Sequence, residues 1–101
     1  MRIDYGRGEK EVLFSLYSLM IYEQEFHSDP IHDLYRGEYE DVFFPSVPKV
    51  LWAGLKAADD SIPGYERWSR DIRGVNLRDL SNEMIPEINE AFFRNGASDS
   101  E

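Results

Sequence analysis

The sequence predicts an all-α, mainly helical fold, a compact single domain of about five short-to-medium helices preceded by coil or one short strand. Three observations predict it. Apolar residues recur at helical spacing in segments too long for strands. Proline, glycine and capping residues separate those segments at Asp29-Pro30, Ser46-Val47-Pro48, Pro63 and Gly74-Val75-Asn76. The 101 residues, 42% of them hydrophobic with two Trp, six Tyr and six Phe, suit one core and leave no room for a second. The expected organisation is an N-terminal segment over 1–10, a helical domain over 11–95 and a disordered acidic tail over 96–101.

Met1 to Lys10 mixes two glycines with charge and has too few apolar positions to specify a long element. From Glu11 to Phe26, Val12, Leu13, Phe14, Leu16, Tyr17, Leu19, Met20, Ile21 and Tyr22 are too dense for a half-exposed strand and too long for a buried one. The spacing predicts a helix with a narrow polar stripe at Glu11, Ser15, Ser18 and Glu25. Its two serines are small enough to let a neighbour approach. A helix apolar around most of its circumference is either central or at an interface.

His27-Ser28-Asp29-Pro30 ends that helix and opens a short second one, with Ser28 or Asp29 as cap and Pro30 in the first turn. Ile31, Leu34 and Tyr35 are its apolar positions, and Arg36-Gly37 its stop. Glu38 to Pro45 is an acidic, aromatic connection whose Phe43 and Phe44 need cover. Ser46-Val47-Pro48 opens the third helix, with Val47, Val50, Leu51, Gly54, Leu55 and Ala58 inward and Trp52 beside that face, bordering the core. A fourth helix spans about Pro63 to Ile72 on Tyr65, Trp68 and Ile72, and Gly74 breaks it. Asn76 caps the last, in which Leu77, Leu80, Met84, Ile88 and Phe92 keep helical period past Pro86. A proline there removes a hydrogen bond and clashes one turn back, at about 3 kcal/mol, which predicts a kink near Asn82. Arg94-Asn95-Gly96 closes the helix.

The net charge of -9 argues against binding a nucleic-acid backbone, whose affinity comes from lysine and arginine displacing counterions. No cysteine is present, so there is no disulfide framework or thiolate site. No apolar run reaches bilayer length and Met1-Arg2-Ile3-Asp4-Tyr5-Gly6 lacks a signal-peptide core, so a cytoplasmic protein is expected. His27, Asp29, His32 and Asp33 are the residue types of a metal site, but their spacing matches no zinc or calcium pattern and a helix cap explains them. Asp59-Asp60 reads as a turn, with no nucleophile and base in register. Gly6-Arg7-Gly8 is no phosphate loop. No catalytic residue, cofactor or metal is expected. Fourteen aromatic residues are hard to hide among five short helices. Phe43, Phe44, Trp52, Phe92 and Phe93 are the candidates to sit under a partner.

Tyr22-Glu23-Gln24-Glu25-Phe26-His27-Ser28-Asp29-Pro30-Ile31-His32-Asp33-Leu34-Tyr35, followed by Leu51-Trp52-Ala53-Gly54-Leu55-Lys56-Ala57-Ala58-Asp59, Pro63, Trp68 and Ala91-Phe92-Phe93, resembles the tail assembly chaperones of long-tailed bacteriophages and prophages. The similarity runs from about Tyr17 to Phe93. It implies a small helical protein of the host cytoplasm, absent from the finished tail. Such a protein binds the tape measure protein, keeps it from aggregating and helps the tail tube protein polymerise around it. The resemblance also implies self-association, and a short form to which a ribosomal frameshift can append a second domain that recruits tube subunits. On physical grounds, an amphipathic client would lay its apolar stripe into a groove of aromatic and aliphatic residues. The rival expectation, motivated by charge alone, is an acidic adaptor or DNA mimic covering a basic protein surface.

Overall fold

The computed structural model describes residues 1–6, 8–35 and 44–93. Among the described residues it is mostly helical, with five α-helices and one small two-stranded sheet. Phe43, most of the acidic connection over 38–45 and the tail over 96–101 lie outside the described residues.

The N-terminal segment is a β-hairpin and so more ordered than coil. Strands β1 (Arg2–Asp4) and β2 (Glu9–Glu11) pair antiparallel, with Ile3 opposite Lys10. Gly6 and Gly8 take φ values of 96° and 83°, and the Asp4 carboxylate accepts the Gly6 N–H at 2.8 Å. Only glycine reaches such angles without steric cost, so the two glycines turn the chain where alternation alone would give no strand signal. Tyr5 anchors the hairpin by meeting Trp68 edge-on, with ring centroids 5.8 Å apart.

The first helix is shorter than its apolar run. Helix α1 spans Leu16–Phe26, and Glu11 belongs to β2. Ser15 is its cap, in extended geometry, and exchanges hydrogen bonds with Ser18: the Ser15 hydroxyl accepts the Ser18 N–H, and the Ser18 hydroxyl accepts the Ser15 N–H. This reciprocal box satisfies two backbone donors at the helix start. It leaves Val12 to Phe14 outside the helix as a strap, in which Val12 is buried and Phe14 packs against the core. At the other end His27 closes α1 in the left-handed region (φ 55°) and its N–H reaches the Glu23 carbonyl at 2.7 Å.

Helix α2 (Pro30–Leu34) begins at the expected cap, where Asp29 accepts the N–H groups of Ile31 and His32. A 3-10 turn over Phe44–Ser46 leads into α3 (Val47–Ala58). This is the central helix, with Val47, Val50, Leu51, Trp52, Ala53, Gly54 and Leu55 all buried. Ala58, expected inward, is exposed because the helix has left the core by its last turn. Helix α4 (Tyr65–Asp71) carries the buried Trp68, and Gly74 (φ 67°) follows it. Asn76 caps α5 (Leu77–Ile88) by accepting the N–H groups of Arg78 and Asp79. Helix α5 continues past Asn82 and through the exposed Pro86. A wider π-helical turn follows over Asn89–Phe93, where the Asn89 N–H is shared between the Ile85 and Pro86 carbonyls.

The tightest packing is where the strap crosses α3. Leu13 N–H donates to the Gly54 carbonyl at 3.0 Å, and a Cβ on Gly54 would stand 2.6 Å from Val12 Cγ1 and 3.1 Å from Phe14. Backbone meets backbone because residue 54 has no side chain.

Candidate docking surface

With α3 central, α1 is the helix that divides between core and solvent. Its inner side carries Ser18 and Tyr22, 3% and 0% exposed. Phe26 packs edge-on to Trp52 and Tyr65 at 5.7 and 5.0 Å, with the Lys49 ammonium 5.2 Å above its ring. Beneath them the Tyr22 hydroxyl donates to Asp33 at 2.9 Å, and Ser28 donates to the other oxygen of the same carboxylate at 2.8 Å. Burial, then the hydrogen bond and negative charge of Asp33, hold the Tyr22 phenol well above its ordinary pKa. This cluster fixes α1 to α2 and gives the outer face a rigid base.

The outer face is apolar where water should favour polar residues. Leu16 is 80% exposed, Tyr17 47% and Met20 45%, and Leu13, just before the helix, 45%. Leu16 and Met20 stand one turn apart on the same face, with Tyr17 beside them. Fully burying side chains of this size stabilises by roughly 1.5–3 kcal/mol each, so several kcal/mol are open to a partner that covers them. The next turn changes character to Glu23 and Gln24, both exposed.

A groove runs along each side of this ridge. One, of about 360 Å³, is lined by Met20, Glu23, His27 and Asp29 among others. The other, of about 310 Å³, lies between Tyr17, Gln24 and Glu25 on α1, Lys56 in the last turn of α3 and Asp60 just beyond it. The Lys56 ammonium is turned back onto the chain, donating to the Asp60 and Ile62 carbonyls at 2.8 and 2.6 Å. A ridge between two grooves is the relief that a second helix packs against.

Among the described residues no group of three or more His, Cys, Asp or Glu could hold a metal ion. Asp29 serves as the α2 cap and Asp33 as the Tyr22 partner. Asp59 accepts both the hydroxyl and the N–H of Ser61, which lowers its pKa, as a turn residue would. No helix among the described residues is long and apolar enough to cross a membrane.

No family model, curated protein or solved structure matches this chain.

Of the aromatic residues expected to meet a partner, Trp52, Phe92 and Phe93 are described with their side chains, and they differ in burial. Trp52 is a correction to the expected arrangement: it is 2% exposed, meets Phe26 and Tyr65, and donates its indole N–H to the Pro63 carbonyl at 2.8 Å. That bond satisfies its one polar group and ties α3 to the start of α4, so Trp52 belongs to the core. Phe92 is half-buried against the core, whereas Phe93 is 48% exposed and meets Tyr35 edge-on at 6.2 Å. The Phe44 backbone begins the 3-10 turn. The ridge of Leu16, Tyr17 and Met20 was absent from the expected set. Its signal was present, in a segment apolar on too many sides to be buried on all of them, and the small sheet that displaced its first turn concealed the rest.

Proposed function

We propose that this chain is a non-catalytic binding protein that covers an amphipathic helix, acting as a tail assembly chaperone that keeps the tape measure protein soluble and assists tail tube polymerisation. The observation that carries the binding role is the outer face of α1, with Leu16, Tyr17 and Met20 between two grooves. A fold that leaves three large apolar side chains together on one exposed helix face forgoes their burial, and such patches mark interaction sites. The client's identity rests on the resemblance of the segments from Tyr22 to Tyr35 and Leu51 to Asp59 to tail assembly chaperones. A tape measure protein is long and helical, so its apolar stripe is the kind of surface that helix-in-groove binding serves.

The test is coexpression with a phage tape measure protein, with any frameshifted longer form supplied, followed by measurement of soluble client and copurification. The expected result is a soluble complex containing both chains. A client that stays insoluble beside a free, folded chain would refute the chaperone reading.

A further inference from the structure

We propose that the α1 ridge binds a cationic amphipathic helix, one whose apolar stripe is flanked by lysine or arginine. The proposal deepens the client-binding reading and rests on it for the ridge's role as a seat.

The argument is the charge around the ridge. Each groove beside it has two carboxylates in its wall, Glu23 and Asp29 on one side and Glu25 and Asp60 on the other. The basic side chains lining the two grooves are His27 and Lys56; the Lys56 ammonium is held by backbone carbonyls at 2.6 and 2.8 Å and keeps its charge, so its groove sets two carboxylates against one cation and stays net negative. Leu16 to Tyr22 carries no charge, and Glu23 to Glu25 carries two negative ones. The outer face therefore runs from neutral and apolar to acidic along its length, with acidic walls.

A second copy of this chain would bring the same acidic walls together across the contact, on a molecule already at -9. Like charges placed opposite one another disfavour that pairing, while a helix with basic flanks meets complementary potential on both sides of its apolar stripe. An acidic or neutral amphipathic helix would gain the apolar contact alone.

The test uses the full chain and three labelled synthetic helices. All have leucine at i, i+3, i+4 and i+7; one has lysine flanks, one glutamate flanks, and the third has the composition of the first in scrambled order. Anisotropy is read at low and high salt, and sedimentation reports oligomeric state. The lysine helix is expected to bind at least about tenfold more tightly than the glutamate helix, a difference that shrinks with salt because rim charges are screened. The scrambled peptide is expected to bind weakly. The paired change Leu16→Asp and Met20→Asp should abolish binding with the circular dichroism spectrum retained, since both side chains already face water. The second variant, Glu23→Lys with Glu25→Lys, should lower the preference for lysine over glutamate flanks by about tenfold while leaving the ridge intact.

Equal affinity for lysine and glutamate helices would overturn the cationic assignment. A dimer that falls apart in the Leu16→Asp, Met20→Asp variant and binds no peptide would give the ridge to a second copy. A tape measure protein still solubilised by that variant would put the seat elsewhere and leave the chaperone reading standing. Peptide binding as expected beside an insoluble tape measure protein would retain the docking surface and remove that client.

Discussion

Replacing Gly54 with alanine sets a local preference against a tertiary contact. Alanine in a helix interior is favoured over glycine by about 1 kcal/mol. Against this, the new Cβ would stand 2.6 Å from Val12 Cγ1 and 3.1 Å from Phe14 Cε1, and Val12 is 2% exposed with a branched side chain that has nowhere to turn. Overpacking of this kind costs roughly 1–3 kcal/mol. If the strap is pushed away, the 3.0 Å bond from Leu13 N–H to the Gly54 carbonyl goes too, a further loss of about 1 kcal/mol. The expected balance is destabilisation by about 2 kcal/mol, which for a domain of this size lowers Tm by roughly 10 °C. Denaturant unfolding and calorimetry of Gly54→Ala measure it. The double variant with Val12→Ala should show favourable coupling of about 1 kcal/mol or more, because the smaller side chain removes the clash. A Gly54→Ala protein as stable as the parent, or more stable, would refute the close crossing of strap and helix.

Other expectations follow from the same contacts. Trp52→Ala should destabilise by about 3–5 kcal/mol in chemical denaturation, because it empties a core position and leaves the Pro63 carbonyl without its donor. Asn76→Ala should cost about 1 kcal/mol by exposing the N–H groups of Arg78 and Asp79, while Asn76→Ser should recover most of it. The raised Tyr22 pKa sets a pH dependence. Below the unfolded tyrosine value near 10 both states hold the proton, so stability is unaffected; above it the unfolded chain releases a proton that the folded chain retains, and stability falls. Equilibrium unfolding from pH 8 upward should therefore show a loss starting at about pH 10, shallower in Tyr22→Phe. That variant should also be about 1 kcal/mol less stable at neutral pH, for want of the bond to Asp33.

Much of the helical framework was legible because its signals are local. Asp29 and Asn76 cap the helices they precede, Gly74 sits in the left-handed region after α4, and the inward positions of α3 from Val47 to Leu55 are buried. Short side chains beside a backbone turn, and apolar residues three and four apart, act over a few residues and can be read within a few residues. The start of α1 was not legible in the same way. Val12, Leu13 and Phe14 extend the apolar run of the helix without belonging to it, and only the Ser15–Ser18 box separates them. The usual sign of such a box is a glutamate or glutamine at its third position, where this chain has serine.

The candidate surface divides along the same line. Sequence periodicity identified α1 as apolar on too many faces, but could not say which of α1 and α3 would occupy the centre. Trp52, read as bordering the core, is buried because Phe26 from α1 and Tyr65 from α4 close over it and the Pro63 carbonyl takes its N–H.

The sequence by itself determined a mainly helical chain, most of its caps and breaks, and an acidic composition, since each depends on neighbours along the chain. The tertiary structure decided that α3 is central, that Gly54 admits the strap, and that Leu16, Tyr17 and Met20 face water between acidic grooves. Those outcomes depend on which of two similarly apolar helices gains more partners on folding, and the partners come from segments distant in sequence.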